Sequence, residues 1–134
     1  AVYNRMKAYI ALGQTEQALP DMMELSQEMK TEHGAEAKYL LAKYNFDKGL
    51  LDNAEQQIID FAGSNTPQQY WLAKSFIILA DINIKRGDDF QAKQYLLSLQ
   101  SNYTVQDEIQ NEINSRLSDI ATRLKEETKA TGTL

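Results

Sequence analysis

Few residues in this chain have the type and spacing that chemistry would need. His33 is the only histidine, and no serine or aspartate stands at a spacing that would pair with it as nucleophile or orienter. It sits beside Gly34 where a helix is expected to end, a place where a cationic side chain complements the helix dipole. Asp88 and Asp89 could hold a cation, but two acids directly after Gly87 also serve as cap and dipole partner for a helix starting there. Glu126-Glu127 read as a solvated face. The chain has no cysteine, which removes disulfides, zinc thiolates and thiol nucleophiles together. It also lacks a phosphate-binding glycine loop and a His-x3-His pair. The expectation is a protein without catalysis, metal or cofactor.

Charge narrows the partners. Fourteen Lys and Arg are interleaved with 19 Asp and Glu, and the formal charge is −5, which does not give the basic stripe of a nucleic-acid binder. No segment approaches the roughly 20 apolar residues of a membrane-spanning helix. Ala1-Val2-Tyr3 opens inside a helical pattern with no cap before it, which marks the sequence as an expected piece of something longer.

The elements that position these residues repeat. Three times a glycine is followed five residues later by an alanine: Gly13 and Ala18, Gly49 and Ala54, Gly87 and Ala92. The glycines are 36 (13 to 49) and 38 (49 to 87) residues apart, a period of helical hairpins. Ala37, Leu40, Leu41, Tyr44 and Phe46 recur mainly at three- and four-residue steps before Gly49, and a second helix begins at Leu51. Thr66-Pro67-Gln68-Gln69 predicts a start with Thr66 as cap, Pro67 in the first helical position and Gln69 as capping-box partner. The first unit runs over Val2 to Ala11 and Thr15 to about Lys30, with His33-Gly34 ending it. Pro20 conflicts with that second helix, which must start late or bend there. Val105, Ile109, Ile113, Leu117, Ile120 and Leu124 form one stripe of a long amphipathic helix, expected to cap the array or, alternatively, to self-associate.

The expected fold is therefore all-α: one domain over 1–128, with hairpins at about 1–31, 34–62 and 67–101, a capping helix at 105–127, and a flexible tail at 129–134. The 134 residues, 43% apolar, suffice to bury such a core.

These units resemble the tetratricopeptide repeat (TPR) family. Leu41-Ala42, Gly49, Ala54 and Ile58 match its pattern in the second unit, Phe76, Leu79-Ala80, Gly87, Ala92 and Leu96 in the third, and Tyr9, Gly13, Ala18 and Met22 in the first. The terminal proline is missing from each unit, Lys38 replaces an aromatic residue, and Asn45 and Asn83 stand where tyrosine is usual. The long periods and the run Phe61 to Thr66 are similar to bacterial envelope members, including the Tol-Pal coordinator group and the C-terminal repeats of large periplasmic proteins. The resemblance implies a right-handed α-solenoid and a periplasmic or envelope setting. It further implies a non-catalytic scaffold that holds a protein or peptide segment in a concave groove, or else a structural or oligomerising segment of a larger repeat protein.

Carried over position by position, the groove residues are Tyr3, Lys7 and Ile10, then Glu36, Tyr39, Lys43, Phe46 and Asp47, then Lys74, Ile77, Asp81, Ile84 and Lys85. Tyr39, Phe46, Ile77 and Ile84 are expected as exposed anchors, with the charged residues setting register. The family's carboxylate clamp would fall on Tyr3, Lys7, Leu40, Lys74 and Ile78, of which only Lys74 fits, so no preference for a free acidic C-terminus is expected.

Overall fold

Glycine sets the hairpins. Gly13, Gly49 and Gly87 adopt φ of 74°, 77° and 79°, a left-handed conformation that costs a residue with a Cβ about 1 kcal/mol. In each turn the glycine N–H and the one after it close back on the helix: Gly13 donates to Ile10 O and Gln14 to Tyr9 O, and the bonds repeat from Gly49 to Phe46, Leu50 to Asn45, Gly87 to Ile84 and Asp88 to Asn83. This double closure satisfies the last carbonyls of the helix and reverses the chain.

The computed structural model describes residues 1–132. Among them are seven helices and no strand: α1 (Val2–Ala11), α2 (Thr15–Leu25), α3 (Glu32–Asp47), α4 (Leu51–Ala62), α5 (Gln69–Lys85), α6 (Asp89–Asn102) and α7 (Glu108–Thr131). Helices α1 and α2, α3 and α4, and α5 and α6 pair across the glycine turns. Units join in a fixed way, because α3 packs on α2 and α5 on α4, while α3 also packs on α5 and α5 on α7. Ala18, Ala54 and Ala92 are fully buried, and Met22, Ile58 and Leu96, four residues later, fill the space their small side chains leave.

Three apolar clusters follow the units: Met6, Ala18, Met22, Ala37 and Leu41; then Ala42, Ala54, Ile58, Ile78, Leu79 and Ile82; then Ala73, Ile77, Ala80, Ala92, Leu96 and Leu99 with Ile109, Ile113 and Ile120 of α7. The first two clusters each draw on more than one hairpin and the third joins the last hairpin to α7, so neighbouring units share a core.

Several boundaries differ from the sequence expectation. Helix α2 ends at Leu25, short of Lys30, and His33-Gly34 lies in the first turn of α3, which Thr31 caps by accepting from Gly34 N. Gly34 does not stop a helix; a Cβ there would stand 1.9 Å from Glu28 O, so it permits a close backbone approach. Helix α2 does not start late, because it begins at Thr15 and passes through Pro20. The carbonyl that loses its partner is that of exposed Glu16 in the first turn.

Thr66 is not the cap of α5, which starts at Gln69. Its hydroxyl donates to Met29 O at 2.7 Å and accepts from Gln68 N, so it ties the α4–α5 loop to the α2–α3 loop. Helix α7 starts at Glu108, which leaves Val105 outside it and exposed, and it continues through Lys129, Ala130 and Thr131, where a flexible tail was expected. The last two tail residues, 133 and 134, lie outside the described residues.

Candidate functional site

The first helices of the three hairpins, α1, α3 and α5, together with α7, carry a line of polar and aromatic side chains that meet across the helix gaps. At one end Glu36, 4% exposed, accepts from Tyr3 Oη at 2.8 Å and Lys7 Nζ at 2.5 Å. That hydrogen bond, with burial and the Glu36 charge, pushes the Tyr3 phenol up to about 12. The Tyr3 ring also stacks on His33, with centroids 3.6 Å apart and planes within 3°. Tyr3, Lys7 and Glu36, each mapped from the sequence as a groove position, thus come together and satisfy one another.

The middle of the line is aromatic. Tyr39 of α3 lies 5.5 Å from Trp71 of α5, and Trp71 meets Tyr70 edge-on at 4.9 Å. Lys74 places its ammonium 5.5 Å from the Tyr39 ring centre and 5.7 Å from that of Tyr70. Spacing explains this, because Tyr70, Trp71 and Lys74 sit at three- and four-residue steps on one side of α5. Tyr70 donates its hydroxyl to Glu108 of α7, which raises its phenol pKa. Burial raises the Tyr39 phenol as well, helped by the charges of Glu112 and Asp47. Oε2 of Glu112 is buried without a hydrogen-bond partner, and no carboxylate lies within ion-pair distance of Lys74 among the described residues.

Toward the glycine turns, Lys85 stands 5.5 Å from the Phe46 ring centre and Lys43 pairs with Asp47 at 3.0 Å. Ile10, Lys43 and Asp47 line a cleft of about 650 Å³ between the first two units, with Gly13, Tyr44 and Lys48.

None of the four expected anchors stands exposed: Tyr39 and Phe46 are half-buried against the second apolar cluster. Ile77 is 4% exposed and packs with α6 and α7, and Ile84 is half-buried against the same cluster. Asp81 is held by Arg116, which donates to its two oxygens at 2.7 and 2.9 Å. The cause is α7, which covers the flank of α5 that a three-unit array would leave open. The sequence mapping also missed Tyr70, Trp71, Glu108, Glu112 and Arg116. Tyr70 and Trp71 were findable from their register with Lys74; the α7 residues required reading α7 as one more first helix.

Chemically, this face offers apolar rings with the ammoniums of Lys74 and Lys85 against them, and paired charges around the rim. Among the described residues no group of three or more His, Asp or Glu is placed to hold a metal ion. No family model, curated protein or solved structure matches this chain.

Proposed function

We propose that this chain is a TPR-like scaffold without catalytic activity, and that it holds a peptide or protein segment along the face of α1, α3, α5 and α7. The second helices α2, α4 and α6 reach the next unit mainly through its first helix, whereas successive first helices α3, α5 and α7 touch directly. This packing supports a reading in which the first helices line the inner, concave side of a solenoid. The observation that carries the reading is the Tyr39, Tyr70, Trp71 and Lys74 cluster. Rigid rings supply contact area at low entropic cost, and an ammonium without an ion pair can donate to a ligand carbonyl or carboxylate. Lys7, Glu36, Asp81 and Arg116 are self-paired and shape the floor rather than supply free contacts.

A peptide-display selection against the intact chain tests this. Selected peptides should bind native protein and a control altered on α2 and α4, Met23→Ser with Ile59→Ser. They should lose at least about tenfold, or about 1.4 kcal/mol, with Tyr39→Ala plus Lys74→Ala. Equal loss in the control, or no selectable peptide, would favour a purely structural segment.

A further inference from the structure

The junctions between units share an electrostatic clasp. Lys48 pairs with Glu16 at 3.2 Å, Arg86 with Asp52 at 2.5 Å and Glu55 at 3.1 Å, and Arg123 with Asp89 at 2.9 Å. Glu16, Asp52 and Asp89 each stand in the first turn of a second helix, and the base comes from the unit that follows. Lys48 and Arg86 directly precede the left-handed glycines that turn the chain back. Arg123 holds the same place on α7, but Leu124 follows it and the helix runs on to Thr131. Helix α7 is therefore a fourth first helix that overruns the turn, with no second helix folded back on it among the described residues.

What that missing neighbour would cover is open. A cleft of about 310 Å³ is lined by Leu117, Ile120, Ala121, Leu124, Lys125 and Thr128 of α7 and by Lys93 of α6. Leu124 is 57% exposed, and Leu117, Ala121, Leu124 and Thr128 recur at three- and four-residue steps as one stripe.

Charge selects the occupant. Asp89 keeps one acidic grip at this junction, on Arg123, but Lys93 stands 38 residues after Glu55, so the second of the two acids that grip Arg86 is replaced by a base. Neither Lys93 nor Lys125 has an ion-pair partner among the described residues. At about 100° per residue, Asp119 and Glu126 fall on the opposite side of α7 from Leu117, and Glu127 falls on the Arg123 side. In a chain of net charge −5 this leaves an apolar slot with a cationic rim.

We propose that the α6–α7 cleft binds an acidic amphipathic helix of a separate protein, its apolar stripe on Leu117, Ala121 and Leu124 and its carboxylates on Lys93 and Lys125. The site is separate from the aromatic face and does not depend on that reading. Helix α4 shows the required type, since it carries Asp52, Glu55 and Asp60 beside Ile58 and Phe61 and packs on a first helix, α3.

The probe is a stapled peptide of residues 51–62, added to the isotopically labelled intact chain and followed by amide chemical shifts. Shifts should centre on Lys93, Ala121, Leu124 and Lys125. Affinity should fall at least about tenfold with Lys93→Glu plus Lys125→Glu in the protein, both exposed and checked for folding by circular dichroism. A peptide with its three acids replaced by lysine should lose as much. No localised shift up to about 1 mM peptide, or equal binding of both peptides, would overturn the proposal. So would dimerisation of the chain alone that Leu124→Asp abolishes, because the cleft would then belong to a second copy.

Discussion

Glu36 and Lys38 are charged residues buried two positions apart on α3, and their surroundings treat them in opposite ways. Glu36 takes two donors, so Glu36→Ala removes two charge-assisted or phenolic hydrogen bonds and should cost about 1–2 kcal/mol in urea unfolding. Among the described residues Lys38 has only Asp60 as an ion-pair partner, at 3.9 Å, and burial pulls its ammonium pKa down against the weaker pull of that carboxylate. Lys38→Met keeps the volume and removes the buried charge, so it should leave stability unchanged or raise it by up to about 1 kcal/mol. Tyr3 and Tyr103 keep their phenol protons up to about 12 when folded, against an ordinary value of 10.0. A raised folded pKa contributes stability that is intact below pH 10 and lost as pH rises toward 12. Urea midpoints should hold to about pH 9.5 and then fall, whereas an alkaline limb that stays flat would contradict the Tyr3–Glu36 hydrogen bond and the burial of Tyr103 with its bond to Asp107.

The helix ends show which local signals survive folding. Gly49→Ala should cost about 1 kcal/mol, because only the left-handed φ of 77° opposes it and its Cβ would meet nothing within 4 Å. Gly34→Ala should cost more, at least about 2 kcal/mol in the same assay, because its Cβ would run into the Glu28 carbonyl. The turn glycines were legible as stops in the sequence because their role is local. Gly34 and Thr66 were misread because their partners, Glu28 O and Met29 O, are brought to them by a loop or by the neighbouring unit. A histidine-glycine pair or a threonine-proline pair carries no mark of such a contact. The repeat period, the buried alanines and the large residues four positions on were readable, because each unit restates them.

At the scale of the molecule, α7 decides both the core and the face. Ile113 is fully buried between α7 and the third hairpin, so Ile113→Ala should cost about 2–4 kcal/mol, whereas Arg86→Ala, which breaks an exposed clasp, should cost less than about 1 kcal/mol. Counting three units placed the expected face on α1, α3 and α5 alone. That is why Ile77 and Asp81 looked free and why Glu108, Glu112 and Arg116 were absent from it. The most direct test of the recognition face is site-specific photo-crosslinking in the source cells, with the reactive side chain at exposed Lys43 on α3 or at exposed Ile59 on α4. The account predicts a discrete crosslinked partner from position 43, lost on Tyr39→Ala plus Lys74→Ala, and none from position 59. A partner captured from position 59 and not from 43 would contradict it.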